Sequence, residues 1–310
     1  MSTIRRIAIL THAWARGAQS IPYIVWLLQR EWESQGIEVE VLRGVGRATD
    51  ADIVFPQVDL SVLPDDYVRY LDGFGRVINR RVTDIRKSTF ATHRLRSGDA
   101  WGGRVIVKTD CNYGGKPERR TVSVVHGRLR SWGRSLRRRV GRSRDPGLGS
   151  TQTLDPHNYP IFESLADVPS AVFDNPSLHV ERFLEEATEE GYVLRSYNFC
   201  GDRWFTRRRV SADPIVRAWN SRLIDSPPVP PELVELRKQL GFDFGKFDFV
   251  ICDGRPVVLD INTTPTIVVG DSHDELIENL KDLAHGIHGC AGDGTYPWAD
   301  PPANPSAPGT

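Results

Sequence analysis

Three oxygen-bearing side chains near the C-terminal end have the types and spacing of a cation platform. In KFDFVICDGRPVVLDINTTPT, Lys246 to Thr266, two apolar arms flank an Asp-Gly turn, and the second arm carries Asp260 and Asn262. Residues i and i+2 share one face of a strand, so these two side chains point the same way. Asp248, on the first arm, joins them if the turn is a three-residue loop Cys252-Asp253-Gly254 with Gly254 left-handed, which pairs Ile251 with Arg255. A two-residue Asp253-Gly254 turn puts Asp248 on the other face. Two carboxylates and an amide oxygen on one face repel and cost desolvation unless a cation neutralises them. Hard oxygen donors of this kind suit magnesium shared with substrate phosphates. The bland alternative is a half-exposed sheet face whose acids sit in water.

Cations that could meet a phosphate lie upstream. Lys108 stands at the exit of the strand in GRVIVKTDCNYGG, just before a Gly-Gly turn where backbone amides can approach an anion. The competing reading is a solvated surface lysine. The stretch Arg119 to Arg144, with HGRLRSWGRSLRRRVGRSR, is the strongly basic segment. A phosphate-attracting lid, a contact for an acidic partner and a solvated helix all remain open for it. His285 and His288 sit three apart near the end and read as helix-surface residues.

These groups need elements to hold them. Arg6 to Leu10 reads as a buried strand, PYIVWLLQREWESQG as a helix ending at Gly36, and IEVEVLRG and ADIVFPQVDL as two further strands. A helix in DDYVRYLDGFG and a short strand RVINR follow. Thr83 to Leu95 reads as a capped helix. Strands Leu178 to Leu184, Tyr192 to Cys200 and a third through Trp204 into Arg207-Arg208-Arg209 come next, then helices in PPELVELRKQLG and SHDELIENLKDLAHGIHG. Alternation of this kind predicts a mixed α/β (α+β) chain with a small parallel-sheet domain at the start.

Length and charge narrow the classes. At 310 residues the chain exceeds the usual single core, so two or three subdomains with a cleft are expected. Forty Lys and Arg balance forty Asp and Glu, which argues against nonspecific nucleic-acid binding. Cys111, Cys200, Cys252 and Cys290 lie far apart without a Cys-x-x-Cys pattern, so neither a zinc knuckle nor a disulfide framework is indicated, and a reducing cytoplasm fits. The apolar run near the N-terminus is too short for a signal peptide or a membrane span.

Taken in order, Lys87, Lys108, VERFLEE, Arg195 and FDFVICDGRPVVLDINTTPT resemble the ATP-grasp superfamily, in its glutathione-synthetase-like and ribosomal-protein-modifying glutamate-ligase-like branch. The likeness covers roughly Arg80 to Leu283. It implies a Rossmann-like pre-ATP-grasp domain over 1–82, a small subdomain over 83–180 that includes the basic segment, and a C-terminal subdomain over 181–295; the Pro-, Ala- and Ser-rich tail over 296–310, with almost nothing to bury, is expected to be disordered. By the resemblance, Lys87 and Lys108 reach the nucleotide phosphates and the backbone near Glu181, Phe183 and Leu184 holds adenine. Glu189 or Glu190 binds ribose. Arg195 and one of Arg207 to Arg209, with Arg207 and Arg209 favoured, face the transferred phosphate or the acceptor carboxylate. Asp248, Asp260 and Asn262 hold two magnesium ions.

The implied activity is an ADP-forming ligase that joins a carboxylate to an amine or thiol through an acyl phosphate. The implied partners are ATP, Mg2+ and a small molecule or peptide bearing a carboxylate, together with a nucleophile. Neither membrane nor nucleic acid is expected, and a homodimer is left open. A kinase on the same fold and a non-catalytic nucleotide-binding regulator are the alternatives. Three positions depart from the family pattern: Asp260 stands where Glu is usual, TDCNYGG lacks the longer glycine-serine loop, and Val193 replaces an Asp that often precedes the Arg195 position. Because the family chemistry needs no protein nucleophile, Cys111 is read as a packing residue.

Overall fold

A computed structural model describes residues 4–15, 18–120, 147–267 and 273–292. The chain divides into two compact units, one of Met1–Asp59, Leu63–Thr83 and Glu185–Thr310, the other of Leu60–Val62 and Asp84–Leu184. The tail 296–310 and all but Arg119 and Arg120 of the basic segment lie outside the described residues.

In the first unit, β1 (Arg6–Thr11), β2 (Glu38–Arg43) and β3 (Ile53–Gln57) form a parallel sheet in the order β2-β1-β3. The continuous apolar run of β1 is buried from Ile7 onward, as a central strand covered on both faces requires. Helix α1 (Ile24–Ser34) buries Ile24, Val25, Trp26, Leu28 and Trp32 and is followed by Gly36 at φ 82°. Helix α2 (Asp65–Leu71) begins after Pro64. The strand expected in RVINR is reduced to one bridge, Val77 to Val54.

The second unit holds α3 (Lys87–Phe90), β4 (Val105–Thr109), β5 (Ile161–Phe162), α4 (Ser170–Phe173) and β6 (Leu178–Arg182), with its sheet in the order β5-β4-β6. The helix expected over Thr83 to Leu95 shrinks to the four residues of α3. Longer-range backbone bonds claim both flanks: the Ile85 amide donates to the Ser61 carbonyl at 2.8 Å and the Leu95 amide to the Val180 carbonyl at 2.8 Å. Local helix propensity is weak beside such tertiary bonds. One sheet face presents Val105, Val107, Leu178 and Val180 to a core with Leu165, Val168 and Val172. The other face carries Ile106, Lys108, His179 and Glu181, paired directly across β4 and β6.

The first unit resumes with β7 (Glu186–Thr188), β8 (Gly191–Cys200), β9 (Arg203–Ser211), β10 (Arg222–Asp225), α5 (Pro231–Leu240), β11 (Phe244–Cys252), β12 (Arg255–Asn262) and α6 (His273–His285). The sheet runs β10-β9-β8-β11-β12, with β7 paired to β8. One face of it buries Tyr197, Phe199 and Phe247, whose rings contact one another at centroid distances of 4.8, 5.0 and 6.2 Å. A single core joins the first parallel sheet to these later elements, with Trp32, Phe55, Phe244, Leu280, Leu283 and Ile287 all inside it. Trp32 Nε1 donates to the Ala284 carbonyl at 2.9 Å and satisfies the one polar atom that this burial strands. Close backbone approach explains two glycines here: a Cβ at Gly286 would lie 1.8 Å from the Cys200 carbonyl oxygen, and one at Gly201 would lie 2.0 Å from that of Gly286.

Candidate active site

The β11-β12 hairpin decides whether the acids converge. Its turn is the two-residue Asp253-Gly254, with both residues at positive φ (50° and 75°), and Cys252 pairs with Arg255. The three-residue loop is therefore not formed, because Asp-Gly adopts the turn whose twist matches the two strands. In a regular ladder this turn would turn Asp260 away from Asp248. A β-bulge at Leu259 reverses the outcome: Phe249 pairs with Val258 and Asp248 pairs with Asp260, leaving Leu259 as the extra residue. The two carboxylates are thus direct cross-strand neighbours, closer than the diagonal arrangement expected.

Register extends the line of charge across the sheet. Arg207, Ser196, Asp248 and Asp260 lie opposite one another on β9, β8, β11 and β12, and the next row is Phe205, Asn198, Lys246 and Asn262. Lys246 Nζ lies 2.8 Å from Asp248 Oδ2. Burial, with the like charge of Asp260 added, pushes the Asp248 carboxyl up from its ordinary range against the pull of Lys246. Two carboxyl groups on directly paired residues, with an amide oxygen on the same face, fit a divalent cation. Among the described residues no three His, Cys, Asp or Glu side chains cluster as a metal cage. Two carboxylates and an amide match an ion whose remaining ligands are water and phosphate.

Beside this row lies a cavity of about 190 Å³ lined by Arg207, Arg209, Arg217, Lys246, Asp248 and Ser196 among others. Arg209 donates to the Ala218 carbonyl at 3.4 Å and to Ser221 Oγ at 3.3 Å, which ties β9 to the loop carrying Arg217. The charged residues of its lining are cationic except for Asp248, which suits an anionic group, while Ile24, Phe205, Val216 and Leu276 supply apolar walls. Arg195 is not in this row. It pairs with Arg208 and Phe249, hence on the aromatic face, and its guanidinium grips Glu186 at 3.0 and 2.5 Å. Glu186 Oε2 also accepts the Ile251 amide at 2.8 Å, so Arg195 braces β7 against the hairpin. Arg195 also contributes to the lining of the same cavity while its guanidinium is held by Glu186.

In the second unit one of the expected nucleotide lysines, Lys108, meets a buried carboxylate. Glu181 is 0% exposed and accepts from Lys108 Nζ at 2.7 Å, with His93 Nε2 at 3.0 Å and His179 Nε2 at 3.1 Å. Burial alone would raise its pKa, but Lys108 and the two imidazoles outweigh that and hold the carboxyl well below the usual range. Lys87, also buried, places Nζ 3.0 Å from Asn112 Oδ1. Phe183 lies under the Arg104 guanidinium at 4.8 Å, and its amide donates to the Arg104 carbonyl. Leu184 is half-buried; Glu189 is exposed, and Glu190 pairs with Arg222 at 2.7 Å. The Gly-Gly turn has a packing reason of its own, since a Cβ on Gly114 (φ 67°) would sit 2.1 Å from the Leu154 carbonyl oxygen. Burial pushes the Cys111 thiol up to about 11, far from a neutral-pH thiolate.

Sequence reading missed His93, His179, Lys246 and Arg217. His179-x-Glu181 carries a usable signal, because period two puts both on one face. His93 and Arg217 carry none, since irregular segments deliver them.

No protein-family profile matches the sequence, and no curated protein does. Solved structures do match. A RimK domain ATP-grasp protein from Sphaerobacter thermophilus is 11% identical with a TM-score of 0.50, over 92% of this chain and 100% of that one. The D-alanine–D-alanine ligase from Bacillus anthracis complexed with ATP is 12% identical with a TM-score of 0.46, over 93% and 97%. The macrocyclase MdnC from Microcystis aeruginosa, bound with the precursor peptide MdnA, is 10% identical with a TM-score of 0.48, over 91% and 99%. The mixed α/β architecture of this chain is the ATP-grasp fold. No helix among the described residues is long and apolar enough to cross a membrane.

Proposed function

We propose that this chain is an ATP-dependent, ADP-forming ligase that activates a carboxylate as an acyl phosphate and transfers it to an amine or thiol. The observation that carries the reading is the row Arg207, Ser196, Asp248, Asp260, an acid pair beside an arginine-lined cavity on one sheet face. Asp248, Asp260 and Asn262 would hold Mg2+, which supplies charge neutralisation for the β- and γ-phosphates. Arg207 and Arg209 would meet the transferred phosphoryl group or the substrate carboxylate, where preorganised cations stabilise developing charge. Lys87 and Lys108 are assigned to the nucleotide phosphates, the Glu181 to Leu184 backbone to adenine, and Glu189 to ribose. Arg195, which lines the same cavity while paired to Glu186, is assigned beside Arg207 and Arg209.

The reaction needs only positioning and charge from the protein: the substrate carboxylate oxygen attacks the γ-phosphorus, ADP leaves, and the nucleophile displaces phosphate from the acyl carbon. The test is ADP release over a matrix of carboxylates and amines. Turnover that requires both partners supports the ligase. A stable phosphorylated acceptor formed without a nucleophile would replace it with a kinase.

A further inference from the structure

Asn262 is held by a hydrogen-bond relay that begins far away in sequence. Its Oδ1 accepts the Thr264 backbone N–H at 2.7 Å, and the Thr264 hydroxyl lies 3.2 Å from the same oxygen. That hydroxyl also lies 3.0 Å from Asp59 Oδ1, and Asp59 Oδ2 accepts the Tyr23 O–H at 2.7 Å. Asp59 follows β3, and Tyr23 opens α1. The segment after Asn262 is stapled to the same region, since the Ile24 amide donates to the Pro265 carbonyl and the Ile267 amide to the Pro22 carbonyl, both at 2.8 Å. Thr264 is only 3% exposed, so its hydroxyl sits where water barely reaches.

A threonine hydroxyl has one proton and can satisfy one acceptor at a time. Asp59 offers a carboxylate at the shorter distance, and hydrogen bonds to an ionised acceptor are about twice as strong as neutral ones. The proton therefore goes to Asp59. Asn262 Oδ1 keeps its backbone bond and one uncommitted lone pair, which is the one a cation needs.

We propose that Asp59 is a positioning residue for cation binding: by taking the Thr264 hydroxyl proton it keeps the Asn262 amide oxygen available to a divalent ion. This rests on the reading of Asp248, Asp260 and Asn262 as the magnesium site. Asp59→Asn reverses the relay without opening space. The Tyr23 hydroxyl retains the amide oxygen of Asn as its acceptor, the new NH2 group turns to Thr264 Oγ1, and the threonine proton moves onto Asn262.

The experiment measures the Mg2+ midpoint of the ATP-induced rise in melting temperature for the full chain. D59N is expected to raise that midpoint roughly three- to tenfold, the worth of one competing hydrogen bond. Thr264→Val in the D59N background is expected to restore the wild-type midpoint, a rescue that a merely structural role for Asp59 does not produce. A normal midpoint in D59N, or failure of T264V to rescue it, overturns the relay while leaving the magnesium site standing. Absence of any Mg2+ midpoint in the wild-type protein overturns both the site and the relay.

Discussion

Replacing Glu181 by Gln should destabilise the protein out of proportion to a one-atom change. The carboxylate is 0% exposed and stands within 2.7 to 3.1 Å of Lys108, His93 and His179. Gln keeps the shape but removes the negative charge and turns an NH2 group toward donors. Lys108, itself 9% exposed, then keeps an ammonium with no compensating charge at that position. Breaking a buried pair from one side costs about 3–5 kcal/mol. The gain from pairing is smaller than the cost of stranding one member, so Lys108→Met in the same background should return much of the loss. A coupling of about 2–3 kcal/mol is expected from the full cycle. Urea denaturation of the wild type, E181Q, K108M and the double variant, followed by circular dichroism, measures it. A cost for E181Q below about 1 kcal/mol, or simple additivity in the double variant, would refute the reasoning, since such values belong to exposed pairs.

The same carboxylate sets an acid limit. Its folded pKa lies below the roughly 4.3 of an unfolded glutamate, so its contribution is whole above that value and drains as pH falls through the folded pKa. The stability gap between wild type and E181Q should therefore close on acidification below about pH 4, as pH-stepped denaturation would show. Asp260→Ala should abolish ADP release while leaving the metal-free melting temperature unchanged or slightly higher, because Asp260 works against ionisation of Asp248. A large fall in metal-free stability would mark Asp260 as structural. Deleting Leu259 should straighten the hairpin and keep Asp260 opposite Asp248, so the nucleotide-induced thermal shift survives; its loss would contradict the bulged register.

Much of the architecture was legible because apolar runs and turn residues agree. The strands at Arg6, Leu178 and Tyr192, the helix closed by Gly241 at φ 83° and the hairpin around Asp253-Gly254 all form close to where their sequences place them. What escaped depends on contacts that no local pattern carries. Val257, Val258 and Leu259 are all apolar, so alternation cannot say which of them is the extra residue of a bulge. Ser61 and Val180 draw the backbone of 85–95 away from helix, and both lie distant in sequence. The candidate site divides in the same way. Asp260 and Asn262 are readable from period two, whereas Asp248 reaches them through a bulge and the Arg195–Glu186 pair joins strands that no local pattern connects.

Thermal melting of the wild type and of Asp260→Asn with Mg2+ alone, ATP alone and both together tests the central claim, that the Asp248, Asp260 and Asn262 face builds a magnesium–nucleotide site. A ligand that binds only the folded state raises the melting temperature by mass action. A rise in the wild type that needs Mg2+ and ATP together, and is lost in D260N, is the predicted result. No rise at saturating nucleotide, or an equal rise in D260N, would contradict it.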